Sequence, residues 1–158
     1  MPHWARRLGI SRAALMNSAR ATVATVASLL LARMLKLPES YWAPISAVVI
    51  LLSTINPLTV AWQRFAGTAL GAALGALIAT YLHPNWIVYG MGIYVCGILC
   101  ALLRMDAAYR FAAITLTIVL LVAYTRAPWI VAVHRFVEVS LGIAVALLVT
   151  LVWPAPAN

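Results

Sequence analysis

Six apolar stretches recur along this chain, at residues 21–35, 41–55, 65–82, 86–103, 111–124 and 137–153, with most of the charged residues between or beside them. A soluble core cannot hide that much apolar surface, because 65% of the 158 residues are hydrophobic and only 9% are charged, against about a quarter charged in soluble domains. In hydrocarbon each stretch must satisfy its own backbone hydrogen bonds, which makes helix the expected form. The expected fold class is an all-α integral membrane protein with six transmembrane helices. Several stretches fall short of the ~20 residues of a straight span, so flanking residues such as 129–136 are expected to join a helix, or the bilayer to thin locally.

The net charge of +8 does not point to nucleic acid, because the basic residues stand singly at helix ends instead of forming a patch with interleaved aromatics. They read as membrane orientation. With a cytoplasmic N-terminus that side collects Arg6, Arg7, Arg12, Arg20, Arg64, Arg104 and Arg110, against Arg33, Lys36, Arg126 and Arg135 on the other, which favours both termini in the cytoplasm. All six tryptophans (Trp4, Trp42, Trp62, Trp86, Trp129, Trp153) fall near expected helix ends, as in an interfacial belt. Residues 1–18 form a basic segment that is not a cleavable signal. It reads as an interfacial helix with Trp4, Leu8 and Leu15 toward lipid and Arg6, Arg7 and Arg12 toward phosphate, or as a disordered basic tail. Residues 19–158 form the six-helix domain, in which Arg20 reads as a cytoplasmic anchor. Cys96 and Cys100, one turn apart, suit neither a disulfide nor a metal site and read as small packing residues.

Sliding the sequence on itself by 69 positions brings Leu30, Ala32, Ala43, Ile45, Leu51 and Leu52 onto Leu99, Ala101, Ala112, Ile114, Leu120 and Leu121. A shift of 71 then brings Arg64, Phe65, Leu70, Gly71 and Leu77 onto Arg135, Phe136, Leu141, Gly142 and Leu148. Three helices are written twice, over about 19–83 and 84–154. A three-helix unit starts on one side of the membrane and ends on the other, so the repeat is expected to be inverted, as in many transporters. A duplicated packing unit without a transport role is the other reading.

Gly67, Gly71, Gly75 and Ala79 recur every four residues and put a smooth strip on one helix face, where another backbone can approach closely. The matching positions of the second copy hold Glu138, Gly142, Ala146 and Thr150. Glu138 is the only acid expected inside the membrane, since Glu39 and Asp106 fall in expected loops beside Lys36 and Arg104. It reads either as a proton-coupling residue helped by His134 or as a member of an ion pair with Arg135 near a helix end. Arg64 and Arg135 are equivalent in the repeat, each inside a long helix that begins near Pro57 or Pro128. They read as a pair flanking the midplane that attracts an anion from either side, or as arginines snorkelling to headgroups. No nucleophile triad, metal cluster, Walker loop or dinucleotide fingerprint is present, so neither an enzyme nor a bound cofactor or metal is expected.

The residues from Ala19 to Gly75 carry a further pattern: Arg20 opening a helix, a Leu-Pro link into Tyr41-Trp42-Ala43-Pro44-Ile45-Ser46-Ala47-Val48-Val49, Asn56-Pro57, and Arg64-Phe65-Ala66-Gly67-Thr68 with Gly71. Together with the tail from Arg135 through Glu138 and Gly142 to Trp153-Pro154, it resembles the six-helix membrane block of the fusaric acid resistance and aromatic acid exporter superfamily, to which aluminium-activated malate channels look distantly similar. The resemblance implies a bacterial inner-membrane protein that takes part in efflux of organic, and foremost aromatic carboxylate, anions. It adds Asn56 to Arg64, Arg135, Glu138 and His134 as candidate pathway residues. The large exporters carry a cytoplasmic domain and a second six-helix block that this sequence lacks, so two copies are expected to pair as a homodimer. The functional expectation is an anion transporter in the lipid bilayer. A passive anion channel and a non-transporting subunit, whose glycine strip docks a partner, are the alternatives.

Overall fold

The computed structural model describes residues 12–83, 85–122 and 127–154. These form six α-helices and, among the described residues, no strand: α1 Arg12–Met34, α2 Trp42–Leu51, α3 Pro57–Tyr81, α4 Trp86–Leu102, α5 Asp106–Val122 and α6 Pro128–Val152. The long helices α3 and α6 each open on a proline, whose missing N–H would have had no intrahelical partner there. Asn56 caps α3, its Oδ1 accepting the N–H of Leu58 at 2.9 Å. Asn85 caps α4 through the N–H groups of Ile87 and Val88, both at 2.9 Å. The ends of α1 and α4 are alike. Lys36 and Arg104 take positive φ (53° and 55°), and the next N–H reaches back five residues, Leu37 to Ala32 and Met105 to Cys100, closing each helix as a Schellman turn.

These bounds revise several expectations. Flanking residues do join α6, which begins at Pro128, and α1 starts at Arg12. Residues 1–11, with Trp4, Arg6, Arg7 and Leu8, and also Arg126, lie outside the described residues. Asp106 opens α5 instead of lying in a loop. Arg20 is only 3% exposed, with its Nη1 donating to Asn17 Oδ1 at 3.3 Å. Cys96 and Cys100 are free and buried against Ala112, Leu116 and Leu120, as packing residues are.

Two helices, α1 and α6, are long and apolar enough to cross a membrane by length and composition. The stretch at 41–55 makes only the ten-residue α2, about 15 Å long at ~1.5 Å per residue against ~30 Å of hydrocarbon. Pro57 disfavours helical geometry at the residue before it, and the chain leaves the helix at Leu52 and restarts at Pro57.

The helix neighbours follow one rule. α1 packs on α2 as α4 does on α5; α2 on α3 as α5 on α6; α3 on α5 as α6 on α2; α3 on α4 as α6 on α1. The remaining pair is α3 with α6. Phe65 meets Phe136 at 5.0 Å between ring centroids, while Ala72 and Ala76 share a buried cluster with Val131 and Ala132. Later residues of α3 thus meet earlier residues of α6, and the two helices run antiparallel.

Glycine makes the closest of these packings. A Cβ at Gly71 would collide with the backbone carbonyl oxygen of Ala112, and one at Gly142 with that of Ala43. Gly67 abuts Ala108 and Phe111, and Gly75 abuts Val119. The glycine strip is therefore filled by α5 of the same chain, not by lipid or another subunit.

Candidate anion site

Arg64 and Arg135 each lie seven residues beyond the proline that opens their helix, and the antiparallel crossing of α3 and α6 brings both to one cavity of about 190 Å³. Trp42, Ile45 and Val49 of α2, Thr68 of α3, Phe111, Ile114 and Thr115 of α5, and Val139 of α6 complete its lining. Both arginines are buried, at 7% and 2% exposure. Each guanidinium faces an aromatic ring: Arg135 sits 3.4 Å from the centroid of Trp42, and Arg64 sits 5.1 Å from that of Phe111. Cation–π contact of this kind offsets part of the desolvation of a buried cation.

Hydrogen bonding separates the two. Arg64 Nε donates to Ser46 Oγ at 3.1 Å, and that hydroxyl donates in turn to the Trp42 carbonyl at 2.9 Å. The buried Nε and Nη1 of Arg135 have no partner. Buried N–H groups on a cation without an acceptor cost several kcal/mol by general estimates. No acid lines the cavity. Two planar donor forks and two aromatic faces surround a small space, a donor set whose geometry complements a carboxylate.

Glu138 is fully buried but stands behind this cavity. The ion pair expected with Arg135 does not form, and among the described residues no carboxylate pairs with that guanidinium. Glu138 Oε1 instead accepts the backbone N–H of Glu39 at 2.8 Å, across 99 residues of sequence. Glu39 Oε2 then accepts the indole N–H of Trp42 at 2.9 Å. The α1–α2 link is thereby tied to α6, and Trp42 is held from behind while its ring carries Arg135. Glu138 Oε2 has no partner.

Two other candidates lie elsewhere. Asn56 is exposed and its side chain is occupied in capping α3. His134 is half-buried and lines a separate groove with Trp129, Ile130 and Val133. Conversely, Trp42, which was not among the candidates, lines the cavity. The signal for it was available in the repeat: the shift of 69 that aligns Ala43 with Ala112 also places Trp42 on Phe111, Ile45 on Ile114 and Ser46 on Thr115. Aromatic on aromatic and hydroxyl on hydroxyl mark an environment that apolar matches alone do not.

Among curated proteins, the chain is 30% identical over 151 residues to the uncharacterized transporter YdhK of Salmonella typhimurium, an overlap of 88% of this chain and 22% of that protein. It is 29% identical over 149 residues to the inner membrane protein YeeA of Escherichia coli K12, covering 89% of this chain and 41% of that one. It therefore spans between about a fifth and two fifths of the length of these relatives. No solved structure matches it. Residues 25–149 match the family described as fusaric acid resistance protein-like, and the chain belongs to that family.

Proposed function

We propose that this protein moves organic anions, foremost single-ring aromatic carboxylates, across the bacterial inner membrane through the cavity between Arg64 and Arg135. The observation that carries the reading is a cavity lined by two buried arginines, one of which, Arg135, has two buried nitrogens without a hydrogen-bond partner. The size suits the substrate class: an apolar cavity of about 150 Å³ is large enough to hold benzene, and this one has 190 Å³. Relatives named as a transporter and as an inner membrane protein support the activity and the location. Purified protein in liposomes should carry labelled benzoate down its gradient, and inert liposomes across a broad carboxylate panel would overturn the reading.

Two inverted three-helix repeats supply the frame of this proposal. Exchanging α1, α2 and α3 for α4, α5 and α6 leaves the set of helix neighbours unchanged. The same exchange carries Gly71 against Ala112 onto Gly142 against Ala43, and Arg64 over Phe111 onto Arg135 over Trp42. An axis of that kind passes through the cavity, which supports a pathway approached from both sides. A pair of such subunits and cytoplasmic termini complete the proposal. Cysteine at the exposed Lys36 should then be labelled by an impermeant reagent from outside intact cells, and labelling only after lysis would reverse the orientation.

The absence of an acid from the cavity lining favours a second reading, a passive anion channel that needs no titrating residue. Glu138 decides between them. Its Oε2, buried and unpartnered, is available to take up a proton, and Glu138→Gln keeps an oxygen for the Glu39 N–H. The variant should stay folded and lose the pH dependence of benzoate flux. Flux with the pH profile of the native protein would leave Glu138 as a structural tie and favour the channel.

A further inference from the structure

The two aromatic walls of the cavity, Trp42 and Phe111, are backed by groups of different charge. Behind Trp42 stand Glu39, bonded to its indole, and Glu138, bonded to the Glu39 amide. Behind Phe111 stands Arg110, exposed on α5, with its guanidinium 4.7 Å from the same ring centroid that Arg64 approaches at 5.1 Å from within the buried interior. One aromatic ring thus carries two like charges, one outside and one inside. Asp106, a turn before Arg110, makes no ion pair with it and lines a groove toward α4 with Tyr94, Gly97 and Tyr109. In the repeat, Arg110 corresponds to Tyr41, which packs against Trp42 at 5.3 Å and carries no charge.

We infer that Arg110, Phe111 and Arg64 form an anion-selective mouth, at which a carboxylate is captured by the exposed guanidinium and handed past the ring to the buried one. The inference rests on the anion-pathway reading above and adds the end of the cavity at which the anion arrives. Two cations flanking a low-dielectric ring focus the potential toward the cavity and raise the local anion concentration. Behind Trp42, where Glu39 and Glu138 stand with Arg135, no second guanidinium among the described residues faces the ring. The mouth selects oxyanions that can take one guanidinium before releasing the other, and it excludes cations of equal size. Because Arg110 is exposed, its contribution is screened by salt, whereas that of Arg64 is screened much less.

The test uses full-length protein with Cys96 and Cys100 changed to alanine and one new cysteine in the cavity, Thr115→Cys, with Thr68→Cys as a second position in case the first does not fold. Modification rates are compared for a negatively and a positively charged thiosulfonate of similar size. The anionic reagent should react faster, and Arg110→Gln should lower the anionic-to-cationic rate ratio by roughly tenfold at low salt, the lower end of electrostatic steering, with the effect shrinking as salt is added. Arg104→Gln, which removes a charge from the turn before α5, should leave the ratio within about twofold. A ratio untouched by Arg110→Gln, or cysteines that neither reagent reaches, would overturn the mouth. A ratio that falls as expected in protein whose liposomes carry no carboxylate would uphold the mouth and overturn the transport reading instead.

Discussion

Gly71→Leu is expected to leave almost no folded protein in the membrane. The position faces the backbone of Ala112 so closely that even a single added carbon would collide with its carbonyl oxygen, and backbone cannot swing aside as a side chain can. Overpacking of a well-packed core usually costs 1–3 kcal/mol, and four added carbons against a main chain belong above that range. The shared interface of α3 and α5 would have to separate, and with it the wall of the cavity that holds Phe111 and Thr115. Gly142→Leu should do the same at α2, because Gly142 meets Ala43 in the same way. Gly90→Ala is the contrast: nothing lies within 4 Å of a Cβ there, and the substitution should be neutral or stabilise by up to about 1 kcal/mol through helix propensity. Detergent-resistant fold, read as monodisperse yield and thermal midpoint, separates the three variants.

Arg135→Gln should weaken anion binding by roughly ten- to a hundredfold while leaving the protein at least as stable. The two effects have opposite signs for one physical reason. A charged hydrogen bond contributes about 1.5–3 kcal/mol, so removing the fork that meets the anion loses one to two decades of affinity. The same removal relieves a buried cation whose Nε and Nη1 have no acceptor, and the desolvation of such a cation costs several kcal/mol. Arg64→Gln should weaken binding less, because Arg64 already spends its Nε on Ser46. A residue with only a structural role would lose stability and function together, so anion titration combined with thermal unfolding on the same samples discriminates.

Much of this arrangement was legible in the sequence because it rests on local rules. The prolines at 57 and 128 mark the starts of α3 and α6, the four-residue glycine spacing marks a close-packed face, and Arg64 and Arg135 emerge as a pair from the repeat. The failures share one cause, a side chain whose partner is distant in sequence. Trp42 reads from the sequence only as a helix-end tryptophan, and its place in the cavity wall depends on the tie from the α1–α2 link to α6. Glu138 reads as a partner of its helical neighbour Arg135, but the N–H of Glu39 reaches its carboxylate first. The burial of Arg20 does not show in the sequence because position along the chain does not reveal which face of α1 is covered. The repeat held the missing information in its mixed matches, Trp42 with Phe111 and Ser46 with Thr115, which place two chemically special positions on one axis.

The central claim is that the cavity between Arg64 and Arg135 binds an organic carboxylate, and calorimetric titration of benzoate into purified protein tests it most directly. The native chain should bind benzoate saturably and discriminate against benzamide, which has the same ring and no charge, and the Arg64→Gln/Arg135→Gln double variant should show no saturable binding while remaining folded. Equal binding by the native and double-variant proteins, or benzamide bound as tightly as benzoate, would contradict it.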